Sequence, residues 1–218
     1  FFQVAFLMSN GTGSPRLSHD PDNEIFVALD LETTGLDVES EEIIEIGIVK
    51  FRNSVPIDYY SSFVNPHRPI PSLVQQMTGI DDFSVSSAPS FSILANKIAG
   101  FIDELPIIGH NIVFDISFLR KKGLSLGNQS IDTFEMAQIL LPRASNYSLS
   151  GLMKEVGLPA GTSHRALDDA ISAASLFIHL NKVIGALPSA TLAKIQDIFS
   201  RTSWSLGQFI KYPNPDTF

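Results

Sequence analysis

The sequence contains no cysteine, and this single absence removes several classes of site. Without a thiolate the chain holds no disulfide scaffold, no iron–sulfur cluster and no zinc site built on sulfur, and it has no cysteine nucleophile. A chain free of cysteine fits a reducing compartment, so we expect a cytoplasmic protein.

Basic residues are also scarce, since 15 lysines and arginines face 23 acidic residues and the net charge is −8 over 218 residues. This balance argues against a protein that grips nucleic acid through overall basicity. No apolar run approaches the roughly 20 residues that a membrane-spanning helix needs, so we expect no membrane association. The hydrophobic fraction of 44% is nevertheless too high for a disordered chain.

Changes in composition along the chain predict three segments. Residues 1–23 are an apolar leader followed by a linker rich in Gly, Ser, Pro and Asp. Residues 24–186 are long enough to bury one sizeable core and are expected to form a single domain. Residues 187–218, with a helical pattern over 188–211, are either an extra helical extension or a linker to a missing domain.

The hydrophobic pattern predicts strands first and helices afterwards. Apolar or alternating runs at 25–31, 42–51 and 57–64 are typical of strands, and the short gaps between them favour an antiparallel meander. Further on, short strand candidates at 106–109 and 130–132 alternate with segments of helical spacing. We therefore predict an α/β domain with a mixed central β-sheet flanked by helices. The helical segments are 71–78, 90–103, 112–122, 133–140, 148–156 and 164–184.

Acidic residues stand where apolar elements end. Asp30 and Glu32, in the segment DLETTGL, are two residues apart in a strand and therefore point to the same face. Two carboxylates there are costly unless they are paired or bind a metal. Asp115 follows a buried strand candidate and lies in the first turns of a helix. Taken alone, each of these acids is an ordinary strand-end or helix-start residue.

A second acidic group lies in the segment HRALDDA, together with a histidine. The predicted helix places His164 and Asp168 four residues apart on one face, and it turns Asp168 and Asp169 in different directions. Oxygen ligands favour Mg²⁺ or Mn²⁺, and two such ions roughly 4 Å apart can clamp a phosphodiester. A neighbouring histidine is suited to deprotonate the attacking water.

Two charged segments remain open to interpretation. Arg120–Lys122 is the only basic run, and it is either a solvated helix end favoured by the helix dipole or a phosphate contact beside the acidic site. The five acids between Asp37 and Glu45 are expected to form a solvated turn and strand face.

The motifs DLETTGL, TGI, GHNIVFD and HRALDDA, in this order, resemble the DEDDh 3′–5′ exonucleases. The chain is most similar to the proofreading epsilon-subunit type of DNA polymerase III, and the resemblance covers about residues 24–182. It implies a ribonuclease H-like fold and two bound Mg²⁺ or Mn²⁺ ions. It also implies hydrolysis from the 3′ end of single-stranded or frayed nucleic acid, with DNA favoured, RNA possible and nucleoside 5′-monophosphates as products.

The resemblance also implies a role for each matching residue. The metal-binding acids are Asp30, which touches both ions, and Glu32, Asp115 and Asp169, while Asp168 is a neighbour that binds no metal. His164 is the general base. The residues expected to contact the substrate are Thr33, Thr34, Gly35, Leu36, Thr78, Asn111 and Phe114.

Two other interpretations stay open. The chain is either the enzyme itself or a non-catalytic nucleic-acid-binding module that keeps the site as part of its fold. As an enzyme it is either independent or an exonuclease domain cut from a larger helicase or polymerase. Residues 187–210 resemble the segment that follows the exonuclease domain in DinG-type exonuclease–helicases, so a polymerase or helicase is expected as a partner or fused domain.

Overall fold

The computed structural model describes residues 25–52, 54–159 and 161–201. One five-stranded sheet with the order β3-β2-β1-β4-β5 organises them. The first three strands pair antiparallel, and β4 and β5 continue the sheet in parallel with β1, so the predicted mixed sheet is confirmed. The strands are β1 (Ile25–Thr33), β2 (Ile43–Arg52), β3 (Val55–Phe63), β4 (Ile107–Gly109) and β5 (Ser130–Asp132).

Helices flank this sheet, and most begin and end within two residues of the predicted bounds. The short helix α2 was not predicted, because its five residues are too few for an apolar period to show. The helical pattern predicted for 188–211 corresponds to α8, and its last part lies outside the described residues. The helices are α1 (Ser72–Thr78), α2 (Asp82–Ser86), α3 (Phe91–Ile102), α4 (Ile112–Lys121), α5 (Thr133–Leu140), α6 (Leu149–Glu155), α7 (Ala166–Gly185) and α8 (Ser189–Ser200).

The central strand β1 is buried on both faces because helices cover the sheet on both sides. Its side chains alternate: Phe26 and Ala28 pack in a cluster with Phe177 of α7. Val27 belongs to the cluster on the other face, which includes Phe118 of α4. By this alternation, the even-numbered side chains of β1 face α7.

A glycine in β2 lets α7 begin directly against the sheet. Gly47 pairs with Asp30 of β1. A Cβ atom at Gly47 would lie 2.1 Å from the backbone nitrogen of Leu167 and 2.2 Å from the carbonyl carbon of Ala166. Only a residue without a side chain permits this approach, so Gly47 fixes how close the first turn of α7 comes to β1.

We expect Gly47→Ala to lower the free energy of unfolding by about 1–3 kcal/mol, because the added methyl group pushes α7 away from β2. A urea unfolding curve measures the loss. Gly100→Ala is the matched control, since a Cβ atom at that helical position meets no atom within 4 Å. It should be neutral or stabilising, and equal stability of the two variants would contradict the close packing of α7 on β2.

Membrane-spanning helices were searched for among the described residues. No single helix there is both long and apolar enough to cross a membrane. Helix α7 and residues 189–195 meet the length and composition criteria only when joined, and the two are bent by 116° at their junction.

Candidate active site

The carboxyl end of β1 carries the first two acids of the site. Asp30 and Glu32 are partly exposed and, two residues apart, lie on the face of β1 that is turned towards α7. Asp115, which is only 3% exposed, comes from the first turn of α4. Its Oδ1 accepts a hydrogen bond of 3.0 Å from the backbone N–H of Leu31. This bond ties the start of α4 to the end of β1 and brings Asp115 to the other two acids.

The histidine precedes α7 rather than lying on it, so its predicted place on a helical face was wrong. Helix α7 begins at Ala166, and His164 is an exposed loop residue with φ of 64°. Its backbone N–H donates a hydrogen bond of 2.8 Å to Oδ2 of Asp169. The neighbouring Asp168 accepts instead from the N–H of Thr162 at 3.1 Å. The two adjacent acids therefore accept hydrogen bonds from different residues of the loop.

These elements bring ligand atoms together. One atom each of Glu32, His164 and Asp169 lie within 4.8 Å of one another. Burial raises the pKa of Asp30 well above its usual value, and four neighbouring carboxylates raise it further, those of Asp115, Asp169, Glu32 and Glu45. Burial also raises the pKa of Asp115, although the hydrogen bond from Leu31 opposes that shift.

The pKa values of Glu32 and Asp169 are also raised. Burial raises the pKa of Glu32 to about 7, with Asp169 and Glu45 adding to the rise and Arg165 opposing it. Burial raises the pKa of Asp169, while its bond from His164 opposes the change. Such an excess of carboxylate charge is unfavourable without a cation, and oxygen donors suit hard divalent ions such as Mg²⁺ and Mn²⁺. The residues present therefore fit a divalent metal site.

Residues 33–36, which follow the two acids, form a turn that side-chain hydrogen bonds hold in place, called here the braced turn. Oγ1 of Thr33 donates to the carbonyl oxygen of Gly35 at 2.7 Å. Oγ1 of Thr34 donates to the carboxylate of Glu41 and accepts from the backbone N–H of Glu42 at 2.9 Å. Leu36, at the end of this turn, is 84% exposed. The turn thus presents an apolar side chain to solvent next to the acids.

The other predicted substrate contacts have different surroundings. Asn111 is exposed at the start of α4, with φ of 61°, and its N–H donates to Oδ1 of Asp132 at 3.0 Å. Phe114 is partly buried, with its ring 4.9 Å from that of Phe118. Thr78 is 8% exposed and closes the end of α1 with its own hydroxyl. Contact of these residues with a substrate stays a prediction.

The basic run is engaged by acids of the turn between β1 and β2. Lys121 forms an ion pair with Glu39, and Lys122 contacts Glu42 at 2.5 Å. Within the described residues, these two lysines are therefore paired with carboxylates of the turn and are not free cations.

The expectation that all five acids between Asp37 and Glu45 are solvated was wrong for Glu45, which is only 2% exposed. Its carboxylate accepts hydrogen bonds from Arg165 and from the backbone of Ala166. Glu45 belongs to no recognised motif in the sequence. As an acid close to a predicted turn, it was expected to be exposed.

The geometry of four acids and one histidine at the end of β1 agrees with comparisons to known proteins. A sequence model of the exonuclease family RNase T matches residues 27–177. The chain belongs to this exonuclease family. It is 34% identical over 177 residues to the PolC-type DNA polymerase III of Caldanaerobacter subterraneus subsp. tengcongensis, covering 79% of this chain and 13% of the polymerase.

Two further relatives support the assignment. The 3′-5′ exonuclease DinG of Staphylococcus aureus strain USA300 is 32% identical over 186 residues, covering 83% of this chain and 21% of DinG. The structure of exonuclease X in complex with 5′ overhanging duplex DNA has a TM-score of 0.63 and 28% identity, covering 74% of this chain and 94% of that one. The chain spans about a fifth or less of the curated relatives it matches.

The predicted family, fold class and enzyme class are therefore confirmed. The chain carries a 3′–5′ exonuclease domain of the DEDDh type, with a ribonuclease H-like fold. The family uses divalent metal ions. The division into residues 1–23, 24–186 and 187–218 and the roles of individual residues stay predictions.

Proposed function

We propose that this domain is a metal-dependent exonuclease that trims single-stranded or frayed 3′ ends, with DNA favoured over RNA, and releases nucleoside 5′-monophosphates. The observation that carries the proposal is the gathering of Asp30, Glu32, Asp115 and Asp169 around the end of β1, beside His164. The preference for DNA is supported by the PolC-type relatives and by exonuclease X, whose structure contains duplex DNA.

The four acids would hold two divalent cations, Mg²⁺ or Mn²⁺. When bound, these ions supply the positive charge that a phosphodiester needs at its attacking and leaving oxygens. The raised pKa values of Asp30 and Glu32 support this assignment, because they reflect burial and, in addition, the charge of neighbouring carboxylates. The identity and number of the ions are part of the proposal.

His164 would act as the general base towards the attacking water. Its exposed position lets water and the scissile phosphate reach the ring, and its backbone bond to Asp169 keeps the ring near the acids. An imidazole nitrogen that carries no proton can accept one from water, which is what a general base does.

The braced turn after β1 would hold the terminal nucleotide. Leu36 offers an exposed apolar surface for the base, and Thr33, Thr34 and Gly35 lie in the turn that directly follows Glu32. Asn111 and Phe114, at the start of α4, would position the scissile phosphate, and Thr78 would lie near the terminal nucleotide.

The relatives suggest the setting in which the domain works. Both the PolC-type polymerase and DinG are several times longer than this chain, which supports a polymerase or helicase as a fused domain or partner. Such a neighbour would supply the affinity for nucleic acid that a net charge of −8 does not. The lack of cysteine supports a cytoplasmic setting.

Digestion of matched DNA and RNA oligonucleotides tests the proposal. Each is labelled at the 5′ end and incubated with the full chain and either Mg²⁺ or Mn²⁺, and the products are resolved by gel and chromatography. We expect a ladder that shortens from the 3′ end, nucleoside 5′-monophosphates as products and faster loss of the DNA. Binding without cleavage would identify a non-catalytic module, and equal rates on RNA would contradict the preference for DNA.

A further inference from the structure

An ion pair outside the metal-binding acids connects β2 to the loop that carries His164. Oε1 of Glu45 accepts a hydrogen bond of 2.8 Å from Nη2 of Arg165, and Oε2 accepts one of 3.2 Å from Nε. The same Oε2 accepts a third bond, of 3.1 Å, from the backbone N–H of Ala166. This two-pronged contact with a guanidinium fixes orientation as well as distance.

The surroundings of Glu45 make the ion pair necessary. Glu45 is 2% exposed and stands directly opposite Glu32 of β1, so two carboxylates face each other across the strands. A buried charge is costly unless it is paired and hydrogen-bonded, and like charges directly opposite each other destabilise a sheet. Arg165 compensates Glu45 and also lowers the pKa of Glu32. The pair therefore keeps an otherwise unfavourable acid beside the site.

Besides this ion pair, the loop before α7 is held by hydrogen bonds from the N–H groups of Thr162 and His164 to the side chains of Asp168 and Asp169. Residues 161–164 are exposed, so no apolar packing fixes them. His164 adopts a left-handed backbone conformation, with φ of 64°, which is unfavourable for a residue with a side chain. Such a conformation persists only where neighbouring contacts impose it. The next residue, Arg165, makes such a contact, because its ion pair with Glu45 ties it to β2, a strand inside the sheet.

We propose that Glu45 and Arg165 are positioning residues that hold His164 over the acids. This inference rests on the proposed role of His164 as the general base. Arg165 also lies with its guanidinium carbon 5.5 Å from the centre of the Phe63 ring, which adds a second support on the sheet. Nε and Nη2 of Arg165 are both bonded to Glu45, so these two donors are not free to bind a substrate phosphate.

A double-mutant cycle separates the positioning of His164 from the binding of a substrate phosphate. Arg165→Ala is made in the wild-type chain and in His164→Ala, and the steady-state cleavage of a DNA oligonucleotide is measured with Mn²⁺ at several substrate concentrations. Misplacement of a reacting group by about 1 Å costs on the order of 100-fold. We expect Arg165→Ala alone to lower kcat by about 10- to 100-fold with KM changed less than about twofold. In the His164→Ala background it should cause no further loss, because nothing remains to be positioned.

A second variant distinguishes a loss of positioning from a loss of folding. Arg165→Lys keeps a positive charge opposite Glu45 but cannot form the forked contact, so it should melt at nearly the original temperature and still lower kcat, again without effect in His164→Ala. Arg201→Ala is the matched control, since Nη2 of Arg201 makes an exposed contact with both carboxylate oxygens of Asp197 on α8. We expect its kinetics to be unchanged.

The outcomes are distinct. Equal losses from Arg165→Ala in both backgrounds, or a loss confined to KM, would overturn the inference and indicate a direct contact with the substrate. A wild-type rate and pH profile for Arg165→Lys would also overturn it. If His164→Ala itself cleaves at the wild-type rate, the proposed role of His164 fails instead.

Discussion

Asp30→Asn should reduce exonuclease activity by at least about 1,000-fold and, at the same time, raise the melting temperature of the metal-free protein. The loss follows because Asp30, whose pKa four other carboxylates raise, would bind both ions, and their charge is worth several kcal/mol to the transition state. The gain follows because burial and four nearby carboxylates oppose its ionisation. A neutral amide of the same shape removes that repulsion.

Cleavage of a labelled oligonucleotide and a thermal melt in EDTA measure the two effects. Asp58→Asn is the control, because Asp58 is an exposed acid of β3 and should change neither quantity. Residual activity above about a tenth of the original would contradict the place of Asp30 at the centre of the site. A lower melting temperature for Asp30→Asn would contradict the uncompensated charge of the metal-free site.

The sequence predicted the first half of this site well because a strand has only two faces. Once the apolar run at 25–31 is assigned to a strand, Asp30 and Glu32 must share a face, and in the structure this is the face of β1 that packs against α7. The position of Asp115 is a different matter, since its contact with Leu31 spans 84 residues. The sequence joined it to the other acids because these acids lie at the boundaries of apolar elements, and the resemblance to the exonucleases supported that grouping.

The errors in the sequence analysis have a common physical cause. Helical spacing extends back to His164 in the sequence, but the N–H of His164 bonds to the side chain of Asp169, and the helix begins two residues later than predicted. Glu45 was assigned to solvent because most unpaired acids are exposed, yet its partner Arg165 lies 120 residues further on. In both cases a contact between distant or non-helical groups overrides the local preference.

The stability of the metal-free protein should fall as pH rises from about 5 to 7.5. Burial and neighbouring charge raise the pKa of Asp30, Asp115 and Asp169, and raise that of Glu32 from 4.5 to about 7. The native state therefore holds protons that the unfolded chain releases at lower pH. Stability is fully present below the unfolded pKa and is lost as pH passes through the folded one. Thermal melts in EDTA measure this slope.

Divalent ions should reverse the loss, because they bind the ionised acids of the native state. At 100 times the dissociation constant, a bound ion adds about 2.7 kcal/mol, which corresponds to a rise of roughly 5–10 °C for a domain of this size. The rise with Mn²⁺ should be larger at pH 8 than at pH 6, where protons compete for the same oxygens. Exposed acids such as Asp37, whose pKa is lowered by Ser40, titrate below this range. Asp30→Asn should flatten the slope in EDTA and reduce the rise with Mn²⁺, whereas a melting temperature that climbs with pH in EDTA would refute the strained carboxylate cluster.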